Sequence, residues 1–117
     1  MLEKNIVTDL QQQSKLHYSF DFYYKKKKLN ILRKKLDILD NKLIKLIKIR
    51  TNIVKNVLKL KTYKHEIVDK KRISIILKNI KKKSIKNKID PKITNRIWKN
   101  MIMSYIDFER RNFKNGC

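Results

Sequence analysis

The sequence has almost none of the residues that interrupt helices or cross-link chains. It contains one proline, Pro91, one glycine, Gly116, and one cysteine, Cys117. Because proline and glycine are the main helix breakers, their near absence from the interior predicts an all-α chain. A single cysteine cannot form a disulfide within its own chain, so we expect a reducing environment and a cytoplasmic protein.

Long apolar runs are also missing. No stretch of about 18 uninterrupted apolar residues is present, so we expect no membrane partner. The N-terminus lacks the apolar core of a signal peptide. The two histidines, His17 and His65, lie in unrelated segments, and the sequence therefore predicts neither a metal site nor another cofactor.

Positive charge is abundant, because 32 Lys and Arg residues outnumber 10 Asp and Glu residues and give a net charge of +22. Cations that neutralise phosphates favour nucleic-acid binding. Most of these cations are lysines, however, and alanine is absent. This composition indicates lysine spread over every solvated face rather than selected for phosphate contact, so we do not expect nucleic acid as the partner.

A heptad pattern of apolar residues predicts one long helix from about Leu29 to Tyr63. We call these positions the seam: Leu29, Leu32, Leu36, Leu39, Leu43, Leu46, Arg50, Ile53, Val57 and Leu60. A helix this long extends beyond a compact monomer of 117 residues. The seam therefore favours pairing with the same helix of a second chain.

Arg50 interrupts the seam with a permanent charge. Burying an unpaired charge costs several kcal/mol, so this guanidinium needs an anion. A carboxylate of the protein, such as Glu109 or Asp107, can serve as a structural partner, and so can a carboxylate of a ligand. Both interpretations stay open at this point.

Two further helices follow the loop predicted near residues 62–68. Asp69 is a suitable N-cap for the second helix, and Asp90 with Pro91 is a strong start for the third. The segment Lys81–Lys88 reads as a solvated connector. The buried face predicted for the third helix consists of Ile93, Ile97, Trp98, Met101, Ile102, Tyr105 and Ile106.

Three regions follow from this pattern. Residues 1–28 form an N-terminal extension whose order is left open, residues 29–113 form the helical domain, and residues 114–117 form a C-terminal tail. Aromatic residues between Tyr18 and Tyr24 precede Lys25–Lys28 in the extension. Such a string can stack on nucleic acid or form a partly docked tail.

Some cations share one side of the long helix. Arg50 and Lys61 are three turns apart, about 16 Å along the axis, and leave room for a small dianion over Val54 and Val57. Arg33 lies about 25 Å from Arg50 and is turned by roughly 100°. It can serve the same site only from a second, antiparallel chain. The simpler interpretation makes Arg33 and Lys61 solvated surface charges.

The spacing L-x-x-L-R-x-x-L-D-x-x-D-x-x-L-x-x-L-x-x-x-R, from Leu29 to Arg50, resembles the first helix of the all-helical chorismate mutases. The resemblance continues through Lys61, Asp69 and Arg72 to the third helix. It implies a three-helix protomer with one long N-terminal helix in an intertwined helical homodimer. It also implies an isomerase that converts chorismate to prephenate without a cofactor, on the shikimate pathway to phenylalanine and tyrosine.

The resemblance assigns roles to the cations and to one carboxylate. Arg33 would reach into the site of the other chain and bind a substrate carboxylate, and Arg50 would bind the other carboxylate. Lys61 would contact a carboxylate and the ether oxygen. Asp69 would lie near the ring hydroxyl, and Arg72 would add to the anion-binding field.

On the third helix, alignment on residues 96–98 places Glu109 where the family has Gln or Glu facing the ether oxygen. A glutamic acid donates a hydrogen bond only when it is protonated. The same alignment places Tyr105 where a serine often helps to hold a carboxylate. Ser104, one residue away, is the weaker alternative.

The sequence departs from the family at three points. Ile73 stands where a Glu usually receives the substrate hydroxyl, Tyr105 replaces the serine, and the loop before Arg72 is one residue shorter. These departures leave two alternatives to a working mutase. One is a basic helical dimer that binds nucleic acid or a protein partner without catalysis. The other is a mutase fold without activity that serves as a subunit for another shikimate-pathway enzyme.

Overall fold

The computed structural model describes residues 2–114, with side chains from residue 19 onward. It contains α1 (Leu2–Leu60), a short 3-10 helix (Lys64–Ile67), α2 (Lys70–Lys86) and α3 (Pro91–Asn112). Residues 2–114 include no strand. The predicted all-α class and the three-helix protomer with a long first helix are confirmed. Gly116, Cys117 and the tail beyond residue 114 lie outside the described residues, as do the side chains of His17 and Tyr18.

The helix boundaries differ from the prediction at two places. The first helix begins at Leu2 rather than near Leu29, because residues 2–28 contain neither proline nor glycine and residues 25–28 are lysines that favour a helix. Lys81–Lys86 belongs to α2, so its prediction as a connector was wrong. Nothing in that segment breaks the helix before Asn87.

Both predicted N-caps are present. The Asp69 carboxylate accepts a hydrogen bond from the Arg72 backbone N–H at 2.9 Å, and the Asp90 carboxylate accepts one from the Lys92 N–H at 2.9 Å. Each bond satisfies an N–H that has no partner inside the first turn of its helix. The two caps therefore set where α2 and α3 begin.

The C-terminus of α2 closes with a residue in the left-handed conformation. Lys88 has φ of 56°, and the Ile89 N–H donates to the Ser84 carbonyl at 2.9 Å. This is the arrangement that usually uses glycine after the last helical residue. It reverses the chain so that α3 packs beside α2, where the hydroxyls of Ser84 and Thr94 lie 2.6 Å apart.

The chain divides into two compact units between Leu46 and Ile47. In the first unit, the described side chains of the seam are exposed along α1, and Leu36 for example is 58% exposed. An apolar stripe of this length is unusual on the surface of a monomer. This unit has no buried core among its described side chains.

The second unit combines the end of α1 with the α2–α3 pair. Its buried side chains are Leu58, Ile67, Ser84 and Glu109. The buried line of α1 thus passes through Leu58 rather than through the seam, where Leu60 is 83% exposed. The reason is that α3 covers the neighbouring face of α1, and the seam stays uncovered. On α3, likewise, Ile93 and Ile97 of the predicted buried face are exposed, and the other five are partly buried.

Candidate active site

The site lies in the second unit, where one face of α1 meets one face of α3. Arg50 and Val54 lie at helical spacing on α1, Lys61 directly follows the last residue of that helix, and all three are partly buried. Tyr105 and Glu109 are one turn apart on α3, so their side chains project from the same face of that helix. The two helices therefore bring two cations, one phenol and one carboxylate together.

Lys61 and Glu109 form an ion pair between the two helices. The Lys61 Nζ lies 3.1 Å from Glu109 Oε1 and 3.4 Å from Oε2. Their side chains are only 18% and 8% exposed. A pair this dry interacts more strongly than a surface pair, and removing one partner leaves a costly uncompensated charge. The pair fixes both groups at one point in the site.

Arg50 has a different environment. Its Nε is buried and has no hydrogen-bond partner among the described residues, and its Cζ lies 5.7 Å from the centroid of the Tyr105 ring. The two protein carboxylates considered as partners are engaged elsewhere, Glu109 with Lys61 and Asp107 with Arg111 at 2.8 Å. The guanidinium is thus held against an aromatic ring in the described structure, without a carboxylate beside it.

Thr51 holds the Tyr105 hydroxyl. The two oxygens lie 2.8 Å apart, and Thr51 Oγ1 also donates to the Ile47 carbonyl at 2.8 Å. The two hydroxyls share one hydrogen bond, and the Ile47 carbonyl lies within reach of both. Tyr105 is therefore tied to α1 at the residue that follows Arg50.

The loop after Lys61 borders the site with a depression of about 670 Å³ that is lined by Lys61, Glu66, Val68, Asp69 and Lys70. The Glu66 carboxylate accepts from the Thr62 N–H at 3.2 Å and braces the loop. Asp69 is exposed and is used as the α2 cap. Lys61 and Asp69 thus line the same depression.

Several predicted residues are not brought to this point. Arg33 is an exposed residue of the first unit, and Arg72 is exposed at the start of α2. Ser104 is also exposed, and its hydroxyl donates to the Asn100 carbonyl at 2.8 Å within its own helix. Ile73 lines the groove between α2 and α3 with Leu77 and Pro91. It offers no polar atom to a ligand.

Sequence reasoning missed Thr51 and Glu66. Thr51 stands next to the singular Arg50, and one helical turn after Ile47, but a threonine inside a helix gives no signal of its own. Glu66 is one of only 10 acidic residues in the chain, and its position between Lys61 and Asp69 was the available signal. Both contacts depend on how the chain folds back on itself.

Chemically, this arrangement can bind a small anion and polarise an oxygen atom. Arg50 offers an Nε–H that lacks a protein acceptor in the described part of the chain, and Lys61 has three N–H donors. Among the side chains that the structure describes, from residue 19 to residue 114, no group of three potential metal ligands converges. No helix in the same range is long and apolar enough to cross a membrane.

Comparison with known proteins gives one match. The family model described as chorismate mutase type II matches residues 32–110. The search of curated proteins found no match, and neither did the search of solved structures. The match confirms the resemblance seen in the sequence, and it gives no support to a basic dimer without catalysis.

Proposed function

Because the match covers more than half of its 117 residues, the chain belongs to the type II chorismate mutases, which are isomerases, and we propose that it rearranges chorismate to prephenate where the end of α1 meets α3. The observation that carries this proposal is Arg50, whose buried Nε has no acceptor among the described residues. It lies three helical turns from the Lys61–Glu109 pair. A dianion with an ether oxygen matches this set of groups.

The reaction requires orientation more than bond-making chemistry by the protein. A C–O bond of chorismate breaks as a C–C bond forms within the same molecule, so no nucleophile is needed. Arg50 binds one carboxylate and Arg33 of a second copy binds the other. Two clamps fold the enolpyruvyl arm over the ring and hold the reacting carbons near each other.

The Lys61–Glu109 pair acts on the ether oxygen, where negative charge grows as the C–O bond breaks. Lys61 has three N–H donors, so it can keep one on Glu109 and direct the others to a carboxylate and the ether oxygen. Glu109 donates a second hydrogen bond to the same oxygen only in its protonated form, in which it no longer forms an ion pair with Lys61. Donors fixed before the reaction stabilise the developing charge most effectively in a pocket that excludes water.

The remaining residues have supporting roles. The Asp69 backbone lies near the ring hydroxyl, and Arg72 strengthens the positive potential around the anion. Tyr105 lines the place of the carboxylate held by Arg50, and Ser104 is the weaker alternative. Ile73 cannot receive the hydroxyl, so we expect weaker binding of the ring than a Glu at that position would give.

The active form is an intertwined homodimer. The seam of the first unit is exposed in the single chain, and a second copy would bury it and bring its Arg33 to the site. We place this enzyme in the cytoplasm, where prephenate would feed phenylalanine and tyrosine synthesis.

Incubation with chorismate tests the proposal, because loss of its ultraviolet absorbance reports conversion. We expect the natural chain to convert chorismate and Arg50→Ala to reduce kcat/KM by at least about a thousandfold, since a charged clamp contributes several kcal/mol to a dry site. Arg96→Ala is the matched control, because Arg96 is exposed on α3.

Circular dichroism and the temperature of unfolding complete this test. Arg50→Ala should remain as helical as Arg96→Ala. If Arg50→Ala loses thermal stability but keeps kcat/KM, Arg50 is a structural residue. Chorismate binding without conversion by the natural chain would instead favour the inactive-subunit interpretation.

A further inference from the structure

We propose that Thr51 is a positioning residue for this reaction, which sets the orientation of the Arg50 clamp through the ring of Tyr105. The inference rests on the proposed function and adds a residue to it. Three contacts carry the inference: Thr51 to Tyr105 at 2.8 Å, Tyr105 to the Arg50 guanidinium at 5.7 Å, and Thr51 to its own helix at 2.8 Å.

Thr51 limits the movement of the Tyr105 ring. A tyrosine ring on a helix turns about its side-chain bonds unless its far end is held. The Thr51 hydroxyl holds that end, and Thr51 is itself anchored because its own proton is donated to the Ile47 carbonyl. The same phenol oxygen lies 3.4 Å from this carbonyl, which leaves it little room to move.

The Tyr105 ring in turn places the guanidinium of Arg50. Arg50 and Thr51 are adjacent on α1, so the ring that Thr51 fixes is the ring against which Arg50 lies. A guanidinium over an aromatic face gains electrostatic attraction that depends on that placement. The described carboxylates Glu109 and Asp107 pair with other residues. The Tyr105 ring therefore sets the orientation of the Arg50 N–H groups that would bind a substrate carboxylate.

Loss of this arrangement should affect substrate binding and therefore KM. Without the hydroxyl of Thr51, the ring and the guanidinium sample other rotamers. Ordering them then costs part of the free energy of substrate binding. A clamp that binds the same carboxylate in the ground state and in the transition state acts mainly on KM. We therefore expect an effect on KM and little effect on kcat.

The test compares three variants by steady-state kinetics with chorismate. Thr51→Val keeps the shape but removes the hydroxyl, and we expect KM to rise about five- to tenfold, the range of one hydrogen bond. Thr51→Ser keeps the hydroxyl and should restore KM to within about twofold of the natural value. Tyr105→Phe removes the other partner and should behave like Thr51→Val.

The double variant Thr51→Val with Tyr105→Phe separates positioning from general loss of structure. If the two residues act through one hydrogen bond, the double variant has the KM of either single variant. Multiplied effects on KM, or a Thr51→Val enzyme that matches Thr51→Ser, would overturn the inference. Absence of conversion by the natural chain would instead refute the proposed function, so the two failures are distinguishable.

Discussion

At the scale of single residues, the contacts of the site differ in what they can tolerate. The Lys61–Glu109 pair is largely dry, whereas the Asp107–Arg111 pair on the same helix is exposed on both sides. Exposed pairs contribute about 0–1 kcal/mol, and a buried pair that loses one partner costs several times more. Loss of either partner of the site pair should therefore weaken the contact between the end of α1 and α3.

Glu109 is the proposed second donor to the ether oxygen. A carboxylic acid donates a hydrogen bond only with its proton, whereas a side-chain amide always carries N–H donors. Glu109→Gln should therefore have a kcat/KM at least equal to that of the natural enzyme. Steady-state kinetics with chorismate at one fixed pH measure both enzymes.

Gln at this position still accepts a hydrogen bond from Lys61, so it is the mildest change available there. Asp107→Asn is the matched control, because Asp107 is an exposed acid on the same helix. Its kcat/KM should match that of the natural enzyme. A Glu109→Gln enzyme that loses most of its kcat/KM would show that this position does not donate to the ether oxygen.

At the scale of the elements, the turn between α2 and α3 is the clearest local weakness. Lys88 adopts a positive φ of 56°, which costs a residue with a Cβ about 1 kcal/mol more than glycine. Lys88→Gly should therefore raise the free energy of unfolding by about 1 kcal/mol, as measured by chemical denaturation at a fixed protein concentration.

Lys86→Gly is the informative control for this turn. Lys86 is the last residue of α2, where glycine lowers helix stability by up to about 1 kcal/mol. Opposite signs for the two substitutions would show that the backbone angle at Lys88 matters rather than loss of lysine. A Lys88→Gly chain that is less stable than the natural one would contradict this explanation.

At the scale of the whole molecule, the proposed dimer would cover the seam and bring Arg33 to the site of the second copy. If each site takes Arg50 from one chain and Arg33 from the other, a dimer of Arg33→Ala with Arg50→Ala retains one intact site. Mixing the two inactive variants, after unfolding and refolding together, should therefore restore about a quarter of the natural activity.

The control mixes Arg50→Ala with Lys61→Ala. One chain supplies both Arg50 and Lys61 to a given site. Every site of a mixed dimer therefore lacks one of the two residues, and no activity should return. If Arg33 served a site in its own chain, the first mixture would also stay inactive. Sedimentation should give twice the chain mass of 14.3 kDa for each variant.

Sequence alone determined the all-α class, because one proline and one glycine leave few places for a helix to stop. The caps at Asp69 and Asp90 were equally local, since each bonds to an N–H within three residues. The resemblance to the family could also be seen in the sequence, because its motif is a spacing of residues along one helix.

Only the tertiary structure decided what the charged groups contact. From the sequence pattern, Arg50 could pair with Glu109, with Asp107 or with a ligand. In the fold, Glu109 pairs with Lys61, which lies 48 positions earlier in the sequence. The fold also placed Thr51 on Tyr105, 54 positions away. Helical periodicity indicates which face a side chain occupies, but its partner depends on how α3 lies against α1, which no local pattern contains.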